Sequence, residues 1–249
     1  MITITSEDAI HKAWLYRVLI SIVDNNNLQK LYFKGGTCAA MRGFLDRFSV
    51  DLDFDYLGEV ENVPKIKQEL KKIFKDLNLK IKDESTNALQ FFLKYPAKNP
   101  NVRNSLKIDV NFPAPKANKY EPVVLTDLGR VVICQSRATM FANKLVATID
   151  RFESHHSIAG RDIYDLHHFF INGYHYDGEV IIERTGLSLL DFFGKLKIFI
   201  NENITEKILT QDLNALVPYV RFKILRKTLK VETLMFIDEE INRLKKGTI

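Results

Sequence analysis

A chain of 249 residues is long enough for one large domain or two modest ones and can bury a substantial core. Apolar residues make up 46% and charged residues 27%, with 11 Gly and 7 Pro, which excludes disordered, collagen-like and low-complexity classes. Lys and Arg number 36 against 31 Asp and Glu, leaving a net charge of +5; that suits an anionic partner and equally an ordinary surface.

Two cysteines, Cys38 and Cys134, are too few for a disulfide framework or a four-ligand zinc site, and their apolar neighbours mark both as buried free thiols. The opening Met1-Ile2-Thr3-Ile4-Thr5-Ser6-Glu7-Asp8 lacks the basic and apolar regions of a signal peptide. No apolar run approaches the ~20 residues of a membrane helix, so a cytoplasmic protein without a membrane partner is expected.

The first predicted element is a helix. Ser6 caps it, Glu7 and Asp8 load its first turn, and Ile10, Trp14, Leu15, Val18 and Ile22 recur at helical spacing until Asp24-Asn25-Asn26-Asn27. A short strand at 30–33 then runs into Gly35-Gly36-Thr37, with a short helix expected over 38–45. Asp51-Leu52-Asp53-Phe54-Asp55-Tyr56 alternates with period two, which predicts a strand with one wet and one dry face. Residues 64–77 return to helix, with Pro64 in the first turn and Ile66, Leu70, Phe74 and Leu77 as the buried stripe. Its Lys65, Lys67, Lys71, Lys72 and Lys75 form a solvated face. Strands are predicted at 79–83, 88–95 and 105–112, then at 121–125 and 131–134 beyond the breaker Pro113-Ala114-Pro115.

From Ser136 helical periodicity dominates. Residues 136–153, 162–171, 187–200 and 221–245 read as four longer helices with a shorter one between. There is no internal repeat and no linker-like run. The expected architecture is α+β: a mixed sheet flanked by helices at 1–134, then a helical domain at 135–249 that completes the cleft.

The sharpest chemical feature pairs Gly35-Gly36-Thr37 with Asp51-x-Asp53, with thirteen residues between Thr37 and Asp51. A double glycine between a strand and a helix lets backbone N–H groups approach a phosphate closely, and Thr37 adds a hydroxyl. Asp51 and Asp53 share a strand face, roughly 6–7 Å apart along it. Two hard oxygen ligands beside a phosphate cradle suit Mg²⁺. Asp109, on the wet face of its own strand, would join them across the sheet if the strands are neighbours. Asp55, one step along, is expected on the same wet face and too distant to share the ions. The competing account makes all of these ordinary exposed strand aspartates. Neither a P-loop nor a dinucleotide fingerprint is present, whereas a lone Asp-x-Asp also occurs in metal-dependent glycosyl transfer enzymes. His155-His156 and His167-His168 are adjacent pairs that diverge on a helix, so no histidine metal site is expected.

These residues resemble a known family. Phe33-Lys34-Gly35-Gly36-Thr37 followed by Arg47-Phe48-Ser49-Val50-Asp51-Leu52-Asp53-Phe54 is similar to the first motif of the AbiEii/AbiGii toxin nucleotidyltransferases, within the DNA polymerase β-like superfamily. Asn143-Lys144-Leu145-Val146-Ala147 and Arg161-Asp162-Ile163-Tyr164-Asp165-Leu166 resemble the family's later segments. The resemblance implies a nucleotidyltransferase core using Mg²⁺ or Mn²⁺, with Asp51, Asp53 and Asp109 as metal ligands and Gly35, Gly36 and Thr37 at the nucleotide. It implies that Lys144, a surface lysine by periodicity alone, reaches the triphosphate, and that Asp162 faces the active site. The implied reaction is transfer of NMP from an NTP to an acceptor, expected to be RNA such as a tRNA 3′ end, by the toxin of a pair with a cognate antitoxin. Modification of a small molecule or protein, or nucleotide binding without catalysis on the same scaffold, are the alternatives.

Overall fold

The protein is described by a computed structural model covering residues 6–86, 88–96, 104–214 and 216–247. The described residues form two units: those up to Ala114 together with Lys119–Gln135, and Pro115–Asn118 together with the chain from Ser136 onward.

The first unit is built on a mixed seven-stranded sheet, ordered β3-β4-β5-β2-β1-β7-β6. Its members are β1 (Leu31–Lys34), β2 (Asp51–Tyr56), β3 (Lys80–Glu84), β4 (Leu89–Lys94), β5 (Ser105–Asn111), β6 (Tyr120–Leu125) and β7 (Arg130–Gln135). The central strand β2 runs antiparallel to β1 and parallel to β5. Alternation decides the two faces. Phe33, Leu52, Phe54, Phe91, Leu106 and Ile108 are buried on one. Lys34, Asp51, Asp53, Asp55, Lys107 and Asp109 share the other, since register partners point the same way.

Two helices, α1 (Ser6–Val23) and α3 (Val63–Asp76), and the short α2 (Gly35–Met41) accompany the sheet. The buried stripe of α1 is rotated from the expected one. His11, Leu15, Val18, Leu19 and Ile22 are buried, whereas Ile10 is exposed. A buried histidine on that stripe is satisfied through both ring nitrogens, by the Tyr95 hydroxyl and the Val50 carbonyl, each at 2.9 Å. Hydrophobicity alone could not rank His11 above Ile10. The second helix begins at Gly35 and ends at Met41, earlier than expected at both ends. Gly35 and Gly43 both have positive φ and bracket it. In α3, Ile66, Leu70, Ile73 and Phe74 are buried, and Lys71 bonds Glu84 at 2.8 Å on the wet side. Cys38 and Cys134 are both buried and not disulfide-bonded.

Asp55 departs from expectation. It lies on the polar face of β2 but is fully buried. Its carboxylate accepts from Lys34 Nζ at 2.6 Å, Gln135 Nε2 at 2.7 Å, the Tyr120 hydroxyl at 2.7 Å and Asn111 Nδ2 at 3.4 Å. Donors from β1, β7, β6 and β5 thus converge on one residue of β2. Alternation assigns a face; it does not say what covers the face.

The second unit is helical: α4 (Arg137–His155), α5 (Gly160–Ile171), α6 (Gly178–Thr185), α7 (Leu189–Asn203), α8 (Glu206–Leu213) and α9 (Tyr219–Lys245). Ser136, Asp177, Ser188 and Thr205 cap α4, α6, α7 and α8 through their side chains. Two short helices stand where one was expected. The signals of α6, Asp177 before it and a left-handed Gly186 after it, were present in the sequence. Phe141, Tyr164, Phe169, Phe192, Phe193, Leu196 and Ile200 form this unit's core. Among the described residues no helix is long and apolar enough to cross a membrane.

The Asp55 cluster makes a direct prediction. Asp55→Asn keeps the volume but leaves Lys34 without its counter-charge, so the free energy of urea unfolding should fall by about 3 kcal/mol. A loss under ~1 kcal/mol would show that the buried carboxylate is not what holds these strands together.

Candidate functional site

The glycine turn and the carboxylate strand are built against each other. Gly35 has φ +78°, and a Cβ there would lie 2.2 Å from Asp53 Oδ2, so the Asp53 carboxylate rests directly on the Gly35 backbone. A Cβ on Gly36 would lie 2.8 Å from Ser49 Oγ and 3.4 Å from Arg47 Nη2. Side chains thus press on both glycines, and neither position has room for a substituent. Thr37 is buried, and its hydroxyl donates to the Asp51 carbonyl. The hydroxyl expected at a phosphate therefore ties α2 to the start of β2, while Thr37 keeps its place in the first turn of the helix.

Asp53 is paired across the sheet with Asp109 on β5 and with Lys34 on β1, and Asp51 with Lys107. The strands of Asp53 and Asp109 are therefore neighbours, as the shared-site reading required. Asp109 Oδ2 accepts from Lys107 Nζ at 2.6 Å and Gln90 Nε2 at 2.9 Å. Burial, then the Asp51 and Asp109 charges, push the Asp53 carboxyl up to about 6, against the opposing pull of Lys34 and Lys107. Among the described residues no group of three or more His, Cys, Asp or Glu is gathered closely enough to hold a metal ion. The donor set nevertheless fits a hard divalent cation: carboxylate oxygens only, with the Asp53 carboxyl resisting ionisation first through burial and then through the charges of Asp51 and Asp109.

Lys107, Gln90 and Arg47 were not singled out from the sequence. Lys107 had a readable signal, since it lies two residues before Asp109 and so on the same strand face. Arg47 is buried beside Gly36 and donates to the Phe48 carbonyl at 3.1 Å.

The other two expected residues lie in the helical unit, each in an ion pair. Lys144 Nζ is 2.8 Å from Asp165 Oδ2, with Asp165 fully buried. Asp162, also buried, accepts from Arg151 Nε at 3.0 Å. Lys144 is therefore not the loosely packed edge residue that periodicity suggests.

Comparison with known proteins gives one family. Residues 17–230 match the family described as nucleotidyl transferase AbiEii toxin, type IV TA system. Among solved structures, JHP933 from Helicobacter pylori is 20% identical with a TM-score of 0.62, covering 99% of this chain and 97% of that chain. Another H. pylori structure, described as that of a proposed nucleotidyltransferase, is also 20% identical at a TM-score of 0.62 and covers 97% and 98%. At that identity the likeness shows the fold. No curated protein matches.

Two predictions come from these pairings. The Asp53 carboxyl holds its proton more tightly in the folded state, so its favourable contribution is complete near pH 4 and is lost as pH rises through about 6. With divalent ions chelated, Asp53→Asn should therefore gain on the parent between pH 4 and 7, by about 1 kcal/mol after allowance for partial exposure. Urea titrations at the two pH values test this, and a constant difference would contradict it. For the second pair, Lys144→Ala should cost about 2 kcal/mol by removing a counter-charge from the buried Asp165, and adding Asp165→Ala should recover part of it. If nucleotidyl transfer returns along with stability, Lys144 serves the fold alone; transfer that stays lost marks a direct role.

Proposed function

Because the chain belongs to the AbiEii nucleotidyl transferase toxin family of type IV toxin–antitoxin systems, we propose that it transfers NMP from an NTP to RNA in a divalent-metal-dependent reaction. Family membership makes the chain a nucleotidyltransferase and implies an antitoxin partner. The finer reading rests on one arrangement: Asp53 seated on Gly35, Asp51 two residues before it on β2, and Asp109 beside it on β5.

In this reading Asp51, Asp53 and Asp109 hold Mg²⁺ or Mn²⁺, which when bound offsets the charge of the triphosphate. The chain's own groups do the rest. The family resemblance assigns Gly35, Gly36 and Thr37 to the nucleotide; the missing side chains of the two glycines let Asp53 and Ser49 close on this turn, and Thr37 fixes the turn to the strand carrying Asp51. Asp109 takes the proton from the attacking hydroxyl of the acceptor. Lys107 donates from Nζ to Asp109 Oδ2 and so sets which oxygen is engaged. The family resemblance assigns Lys144 to the triphosphate and Asp162 to the catalytic set; we assign Asp165 and Arg151 the task of orienting them. The net charge of +5 is compatible with an RNA acceptor without selecting it.

The test is direct. The purified protein with each labelled NTP in turn, Mg²⁺ and total RNA should place label in RNA with one or more of the four, and EDTA should abolish it. Asp51→Asn and Asp53→Asn should each reduce transfer by at least about a hundredfold, since an amide supplies neither the charge nor the two-oxygen geometry. Label in protein or a small molecule, with none in RNA, would overturn the acceptor; full activity in EDTA would overturn the metal.

A further inference from the structure

The helical unit carries a concentration of charge that the site does not use. Between Leu213 and Val231 stand five cations, Arg221, Lys223, Arg226, Lys227 and Lys230, and no Asp or Glu. The whole chain has a net charge of +5, so outside this stretch 31 cations face 31 anions and the sum is zero. All five lie on the first half of α9. That helix buries Phe222, Leu225, Leu229, Thr233 and Ile237 on its inner face.

Its outer face is unusual for a surface helix. Val220 is 76% exposed, Tyr219 64% and Ile224 60%, interleaved with exposed Arg221, Lys223 and Lys227. Aromatic rings support three of the cations. Arg221 lies over Tyr164 at 5.6 Å, Lys223 over Tyr219 at 4.6 Å and Arg226 over Phe222 at 5.8 Å. A ring orients a cation without cancelling its charge. Arg226 also approaches Glu206 at 3.6 Å, and Lys230 bonds the Asn201 carbonyl at 2.8 Å. Among the described residues Lys223 and Lys227 enter no ion pair. They stand one helical turn apart, ~6 Å along the axis, in one line.

We propose that residues 219–230 of α9 form a docking surface for the acceptor RNA, its cations on the phosphates and Tyr219, Val220 and Ile224 against unstacked bases. The proposal rests on the reading of RNA as acceptor. Charge selects the occupant: a second copy meeting this face through the same face would oppose cations to cations, whereas a polyanion releases its counterions on contact. Exposed aromatic and aliphatic side chains between cations suit the π-faces of single-stranded bases.

The experiment is fluorescence anisotropy with a fluorescein-labelled RNA hairpin across a series of salt concentrations. Lys223→Gln/Lys227→Gln should bind about tenfold more weakly at moderate salt, with a log–log salt slope smaller by about 1.5, since each phosphate contact contributes about 0.7–0.9. Both lysines are exposed, so the urea midpoint should match the parent, and the double Arg variant should restore binding. Asp51→Asn should bind the hairpin as the parent does. Equal binding by the double Gln variant and the parent overturns the surface while leaving the acceptor reading intact. A parent that binds no RNA and labels none overturns both. Competition by poly-glutamate as strong as by unlabelled RNA, or a parental dimer dissolved by the Gln substitutions, assigns the face to a protein and also overturns the proposal.

Discussion

A fully buried carboxylate holds the catalytic sheet in register. Desolvating one carboxylate costs several kcal/mol, so Asp55 is tolerable only with its partners in place. Those partners are Lys34, Asn111, Tyr120 and Gln135, one from each of four other strands. Satisfying Asp55 therefore fixes β1, β5, β6 and β7 against β2 together. Because β2 has a period of two, fixing Asp55 also fixes Asp53 and Asp51 on the same face, toward Gly35 and Lys107. A slip of one residue would bury Leu52 and Phe54 on the polar side and strand Lys34. The precision of the candidate site is thus inherited from an ion pair that touches no substrate.

How much of this could be read from the residues depends on what kind of interaction was involved. Alternation identified β2 and β5, the shared face of Asp51 and Asp53 and the wet face carrying Asp109, because strand geometry leaves little choice; that β5 lies beside β2 came only from the register. Periodicity found most of α3, α4, α5, α7 and α9 to within a few residues. It failed where polar groups were buried through partners distant in sequence. His11 belongs to the core because Tyr95 and Val50 satisfy it, 84 and 39 residues away. Asp55 was read as exposed because nothing near it in the chain announces Tyr120 or Gln135. Lys144 looked like a surface lysine for the same reason, its partner Asp165 being one turn into the next helix. A pattern of hydrophobicity records which face is dry; it does not record that a charge has been brought in with its counter-charge.

The two ion pairs of the helical unit follow the same logic as Asp55. Lys144–Asp165 and Arg151–Asp162 each join α4 to α5, two turns apart on α4. Both carboxylates are buried and both cations are partly exposed. Such a pair holds the cation's stem in one rotamer and supplies a counter-charge to a carboxylate that would otherwise be costly to bury.

Charge is distributed unevenly for a physical reason. At the carboxylate face Asp53 resists ionisation, first because it is buried and then because Asp51 and Asp109 stand near it, with Lys34 and Lys107 pulling the other way. In the proposed reaction an added divalent ion would relieve repulsion among Asp51, Asp53 and Asp109 and draw in a triphosphate. On α9 the balance is reversed: cations outnumber anions locally, and rings hold them in place without neutralising them. Under the proposal a nucleic acid is drawn to the second surface and repelled by the first until cations are present there. In the proposed reaction, then, docking of the acceptor and chemistry at its end rest on opposite electrostatics, and salt and chelator should separate them: raising the salt weakens docking first, whereas removing divalent ions stops transfer while the RNA stays bound.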